Sequence, residues 1–170
     1  MQMRSKDFGV TKALCCSADI LGLYVDTKID DFPPLNTFQV IVLRLKTHLL
    51  QHKVVSGILL ITKHGQEAYT YGELSHLLQE EKQQFIDCFR GLNPATNFNT
   101  FLLTVGNRPT VQYKIYKQSH CSIYATSESD RDGLSVCNLP YGIMICTFHQ
   151  PVQCCKAVQV IEKFCDVLRS

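Results

Sequence analysis

An α+β fold is predicted, with a central antiparallel sheet of about six to seven strands and helices on both of its faces. Three observations predict it. The order of elements is helix, hairpin, helix, a run of five strands and a final helix, and short turns between consecutive strands imply antiparallel pairing. The segment "GIMICTF", 142–148, is apolar on consecutive residues instead of alternate ones. Such a strand has no water face and needs cover on both sides. Segments near both ends of the strand region carry apolar stripes at helical spacing. The chain has 170 residues and a mass of 19.3 kDa, which suits one domain and an appendage.

Taken in order, residues 1–35 have weak periodicity and end in "DDFPPLNT", where Pro33 and Pro34 set a boundary. Asn36 or Thr37 can cap a helix over "FQVIVLRLKTHLLQ", with Phe38, Ile41, Val42, Leu45 and Leu49 on one stripe. "SGILLIT" and "EAYTY" read as a hairpin about "KHGQ", whose Gly65 is free to take a positive φ. "LQEEKQQFIDCFRGL" reads as a helix with Glu80 and Glu81 in its first turn, Leu78, Phe85, Ile86 and Phe89 on its apolar face, and Arg90 and Gly91 at its end. "NPATN" is a loop. "FLLTVG", "VQYKIYK" and "CSIYAT" are strands, "SESDRDG" is an exposed loop, and the hairpin of Gly133 to Phe148 follows. In "CCKAVQVIEKFCDVLRS" the residues Ala157, Val160, Ile161, Phe164 and Leu168 recur at helical spacing.

Composition narrows the function classes. A net charge of +2 with no run of like charge gives no basis for electrostatic capture of nucleic acid. The nine cysteines are odd in number and fall mostly in apolar patterns, so a reducing, cytoplasmic setting without a disulfide framework is expected. No apolar run approaches the roughly 18 residues that a membrane span needs. "ALCCSADILGLYV" is interrupted by Asp19 and lacks a small-residue cleavage site, so no secretory signal is expected. Cys154 and Cys155 adjoin each other with His149 nearby, but zinc sites use spaced pairs, and no metal is expected. His120 and Cys121, neighbours on a strand, face opposite ways and do not suit a catalytic pair. No Gly-rich phosphate loop, paired-carboxylate site or triad is present, so no catalytic residues, enzyme activity or cofactor are expected.

Over residues 36–170 the chain resembles the profilin family. "VIEKFCDVL", with Glu162 and Asp166, matches the family's last helix. "QEEKQQFIDCF" matches its Pro-Glu-Glu helix, with Gln79 for the Pro. Gly133 to Val152 fits its strand–turn–strand segment without a gap, and "KHGQEA" corresponds to its Asp-Gly-Thr-Val-Trp hairpin. In that register the family's N-terminal Trp falls on Phe38. Residues 1–35 stand outside the match as an N-terminal extension. The resemblance implies a profilin-like sheet with the N- and C-terminal helices packed on one face and the further helix on the other.

It also implies partners. Profilins bind monomeric actin through the last helix, the loop before it and adjacent strands, which here nominates His149, Cys154, Lys156, Gln159, Arg108 and Tyr113. Vertebrate profilins share His at the first of these positions and Lys at the third. The family's turn lysines are replaced by "CNLPY", and "TSESDRDG" stands for a basic loop, so electrostatic steering toward actin is expected to be weaker. The family's proline-rich ligands dock on flat aromatic rings. The chain has no Trp. Phe38, Ile41, Tyr69, Lys163 and Phe164 occupy that region, with Ala68 in place of a Trp and Tyr69 on the opposite face of its strand. Proline-rich binding is expected to be weak or absent. The residue-level alternatives are plainer: core packing for Phe38 and Phe164, solvation for His149 and Lys156. The chain is expected to be a monomeric, cytoplasmic, cytoskeleton-associated regulator of actin assembly that also meets phosphoinositides. The alternative is a phosphoinositide-binding or signalling adaptor on the same fold, with weak or no actin and polyproline binding.

Overall fold

The structure is a computed structural model and describes residues 37–90, 99–105 and 107–170. The expected extension 1–35, the cap residues Asn36 and Gly91, the loop "NPATN" and Gly106 lie outside the described residues. The elements are α1 (Thr37–Arg44), β1 (Gly57–Thr62), β2 (Glu67–Gly72), α2 (Gln79–Arg90), β3 (Thr100–Leu103), β4 (Val111–Gln118), β5 (Ser122–Ser127), β6 (Asp132–Leu139), β7 (Gly142–His149) and α3 (Cys154–Arg169). The strands form one seven-stranded sheet in the order β2-β1-β7-β6-β5-β4-β3, and every pairing is antiparallel.

The apolar run of β7 is explained by two cores. Successive strand residues point to opposite faces. Ile143 and Ile145 enter a core under α2, with Leu59 and Ile61 of β1 and Phe85 and Ile86 of the helix. Met144, Cys146 and Phe148 enter the other core, with Ile58 and Leu60, under α1 and α3. α3 brings Ala157, Ile161, Phe164, Cys165 and Leu168 to that second core, and the α1 end brings Ile41, Leu45 and Leu49. The terminal helices therefore share one face and α2 holds the other, as the resemblance implies. Each fully buried Leu or Ile contributes about 1.5–3 kcal/mol.

Three local departures from the sequence pattern have physical causes. The first helix is α-helical only to Arg44; Leu45–Leu49 is a π-helical turn and Leu50–His52 a 3₁₀ turn, closed by Lys53 at φ 51°. Ile41, Leu45 and Leu49 are spaced by four, and each step of four overshoots an α turn of 3.6 residues. The wider turn takes up the overshoot and keeps all three in the core. Second, Leu78 is not on the apolar face of α2. It precedes the helix and is 60% exposed. The buried residue of that turn is Glu81, whose carboxylate accepts the N–H groups of Leu78 at 2.8 Å and Thr104 at 2.6 Å. The first of these is the reach-back half of a capping box. Third, the β1–β2 register shifts between Leu60 and Ile61, so Ala68 is the extra residue of a bulge. Ala68 and Tyr69 therefore both pack on the terminal-helix core, and the expectation that they lie on opposite faces is corrected. Gly65 takes φ 84° in the β1–β2 turn, as expected.

Candidate docking surface at the N-terminal end of the last helix

The functional candidates fall into two groups. The first is a charged cluster at one end of the sheet. Glu73 follows β2, Asp132 opens β6 and His149 closes β7, and the β6–β7 register sets Asp132 opposite His149. β1 lies between β2 and β7. Glu73 reaches across it because Gly57 has no side chain there: a Cβ would meet Thr147 Oγ1 at 2.7 Å, Leu74 Cγ at 2.8 Å and Glu73 Cγ at 2.9 Å. His149 Nε2 lies 2.5 Å from Glu73 Oε1, and Nδ1 bonds Asp132 Oδ1. Each ring nitrogen thus faces a carboxylate oxygen, an arrangement that favours the doubly protonated imidazolium. Arg108 Nη2 donates to Glu73 Oε2 at 2.9 Å, and its Nη1 lies 3.7 Å from Asp132. Its Nη2 also lies 3.1 Å from His149 Nε2, so the two groups converge on the Glu73 carboxylate. Ser56 Oγ also donates to Glu73 Oε1, at 2.9 Å.

The electrostatics follow from these contacts. Burial by itself would push the Glu73 carboxyl up, but hydrogen bonds from His149, Thr147 and Ser56 win and bring it down to about 2. The hydrogen bond to Glu73 raises His149 above its ordinary 6.5 against the opposing effect of burial, with Asp132 adding to the rise. His149 and Arg108, both nominated from the resemblance, meet at Glu73, and His149 is an internal brace with both nitrogens engaged. It is not simply solvated.

The second group is an open surface. Cys154, Lys156 and Gln159 are all exposed on α3. Tyr116 meets the N-terminal end of the helix: its hydroxyl lies 3.4 Å from Cys154 Sγ. The β4–β5 register shifts between Ile115 and Lys117, which makes Tyr116 a bulge residue. Its ring stacks on Tyr124 with centroids 6.2 Å apart, and Lys117 Nζ lies 5.9 Å from the Tyr124 ring. Between the two groups, Asp132, Phe148, Pro151, Gln153 and Cys154 line part of a cavity of about 240 Å³.

Tyr113 does not belong to this surface. It is 1% exposed and packs in the core under α2, so it offers nothing to a partner. Tyr116 and Tyr124 beside the helix, and the exposed Lys114 on β4, are not among the residues nominated from sequence. Alternation along "VQYKIYK" carried the signal for Lys114, since a strand that buries Tyr113 turns Gln112 and Lys114 outward. The bulge that re-aims Tyr116 has no comparable mark in the sequence.

α3 is held to the sheet by a second polar cluster. Arg169 Nη1 donates to Glu162 Oε2 at 3.1 Å, and Nη2 donates to Cys121 O at 2.8 Å and Ser122 Oγ at 3.0 Å. Ser122 Oγ donates to Glu162 Oε1 at 2.7 Å. Burial opposes ionisation of Glu162, but the donors Ser122, Tyr124 and Arg169 hold it below the usual carboxylate value. The family-like Glu162 therefore anchors the helix.

Four of the five residues expected on the proline-rich face pack in or against the terminal-helix core. Ile41 is 3% and Phe164 6% exposed, both within the terminal-helix core. Phe38 and Tyr69 pack against that core, and Lys46 Nζ lies 5.8 Å from the Tyr69 ring. A groove of about 260 Å³ runs between the terminal helices, but it is lined by His48, His52, Val160, Lys163, Phe164 and Val167. Only Lys163 and Phe164 of the expected set reach it. Among the described residues no group of three or more His, Cys, Asp or Glu could hold a metal ion, and no helix is long and apolar enough to cross a membrane.

Comparison with known proteins gives the family. No curated protein sequence matches the chain. Among solved structures, Acanthamoeba castellanii profilin II superposes with a TM-score of 0.58 at 19% identity, covering 73% of this chain and 92% of that one. Schizosaccharomyces pombe profilin gives 0.60 at 16% identity, covering 73% and 92%. LokiProfilin1, solved in complex with rabbit actin, gives 0.61 at 13% identity, covering 81% and 98%. At these identities the structures show a shared fold. The profilin family model matches residues 44–170, three quarters of the sequence, and the chain belongs to the profilin family.

Proposed function

We propose that this protein binds monomeric actin and regulates filament assembly, acting as a binding protein and not an enzyme. The family match over residues 44–170 carries the proposal. Support comes from the solved complexes of LokiProfilin1 and LokiProfilin2 with rabbit actin on the same fold. The contact surface is the exposed side of α3 at Cys154, Lys156 and Gln159, extended over the sheet by Tyr116 and Tyr124. Stacked aromatic rings beside a helix give rigid contact area at low entropic cost, which is how interface anchors work. His149 and Arg108 act beside this surface, fixing the strand ends that lead into the loop before α3. The protein works in the cytoplasm as a monomer, with exposed Lys114, Lys117 and Lys156 available to phosphoinositide headgroups. Proline-rich ligands bind weakly or not at all, because two of the five residues in that region are core residues and the chain has no Trp.

A pyrene-actin assembly assay with the purified chain tests the proposal. Slower spontaneous assembly, and loss of that effect in Lys156→Glu, are expected. Unchanged assembly at a several-fold excess over actin would contradict it.

A further inference from the structure

β3 ends the sheet on one side, and its outer backbone groups are the usual starting point for edge-to-edge pairing. The ladder fixes which groups face out. Ile115 N–H donates to Asn99 O at 2.8 Å, so positions 99, 101 and 103 bond to β4, and Thr100, Leu102 and Thr104 face away from it. The outer groups of Leu102 are both taken by one side chain of α2. Gln84 Oε1 accepts the Leu102 N–H at 3.0 Å, and Gln84 Nε2 donates to Leu102 O at 2.7 Å. This is the pair of bonds that a residue on a neighbouring strand would make. The amide is held in place by a further bond from Nε2 to Glu81 O at 2.9 Å, and Glu81 itself takes the outer N–H of Thr104 at 2.6 Å.

We propose that α2 serves as a strand surrogate that closes the β3 edge through Gln84 and Glu81, and that freeing this edge lets two copies of the chain pair β3 to β3 about a twofold axis at Leu102. A residue with its N–H and C=O both turned outward is self-complementary in an antiparallel pair, as an isologous interface requires. The apolar side chains that such a dimer would cover are already at the surface: Leu102 is 52% exposed, and Leu78, tied to the same edge through Glu81, is 60% exposed. The other edge strand, β2, is blunted differently, by the Ala68 bulge and the exposed Glu67.

The test is Gln84→Met, which keeps the side chain's length and removes both hydrogen-bonding atoms, with Gln84→Ala as a second variant in case the first loses its fold by circular dichroism. Light scattering after size exclusion is read across a wide concentration range, with amide exchange at Leu102. The wild type is expected to stay monomeric. The variant is expected to form a concentration-dependent dimer and, when dilute, to exchange the Leu102 amide about tenfold faster or more. Adding Leu102→Lys, a charge on the edge, is expected to return it to a monomer. A folded variant that stays monomeric at every concentration, or a dimer that Leu102→Lys leaves intact, overturns the proposal.

Discussion

Replacing Gly57 with alanine adds one methyl at the point where Glu73 crosses β1 to reach His149. Two effects compete. Alanine restricts the unfolded chain and by itself stabilises by about 0.4–1 kcal/mol where the native backbone can accept it. Against this, the new Cβ would sit within 3.0 Å of three heavy atoms, in Thr147, Leu74 and Glu73. Leu74 is fully buried and Glu73 and Thr147 belong to the His149 network, so none is a free chain end that can swing away. Overpacking of this kind costs about 1–3 kcal/mol. The clash wins, and Gly57→Ala is expected to destabilise by about 1–2 kcal/mol net, which for a chain of this size lowers the melting temperature by about 2–8 °C. Urea unfolding measures the first quantity. The second readout is the imidazole titration of His149 by NMR, which is expected to move down toward its ordinary value as Glu73 is pushed away. Unchanged or increased stability together with an unmoved His149 titration would refute the packing argument.

Other outcomes follow from the same contacts. His149 has a raised folded value, so its contribution to stability is fully present below the ordinary imidazole value near 6.5 and is lost as pH rises through the higher folded value. Glu73, depressed to about 2, contributes stability above the ordinary carboxylate range that is lost as pH falls toward 2. Urea midpoints across pH are therefore expected to peak on the mildly acid side and to lose the alkaline slope in His149→Gln. Arg169→Ala removes donors from Glu162, Ser122 and two backbone carbonyls, and is expected to cost about 1–3 kcal/mol by denaturant titration, at the low end because the pair is partly solvated. Ile161→Ala opens the fully buried seam between α3 and the sheet and is expected to cost about 2–5 kcal/mol by the same method.

Much of the fold was legible in the residues. The consecutive apolar residues of "GIMICTF" called for two covered faces, and the helical stripes supplied the cover. What the residues do not show locally are features decided by contacts distant in sequence. Glu81 reads as an acid favoured by the helix dipole, yet it is buried because Thr104, 23 residues away, offers an N–H to its carboxylate. Tyr69 changed faces because one extra residue, Ala68, entered the β1–β2 register. The site was legible in outline only. The resemblance assigns His149 and Arg108 to an interface, but what joins them is Glu73, 76 positions from His149 and 35 from Arg108, which reaches them over the opening at Gly57. Tyr113 follows from the family resemblance, although its strand's own alternation turns it inward.

The most direct measurement of the central claim is calorimetric titration of monomeric actin with the wild-type chain, Lys156→Glu and Tyr113→Phe. A saturable one-to-one isotherm is expected for the wild type. Lys156→Glu, which reverses a charge on the exposed α3 surface, is expected to weaken binding about tenfold, or about 1.4 kcal/mol. Tyr113→Phe, altered at a side chain that is 1% exposed, is expected to bind like the wild type. No heat with the wild type, or a loss in Tyr113→Phe with none in Lys156→Glu, would contradict an actin-binding surface at the N-terminal end of α3.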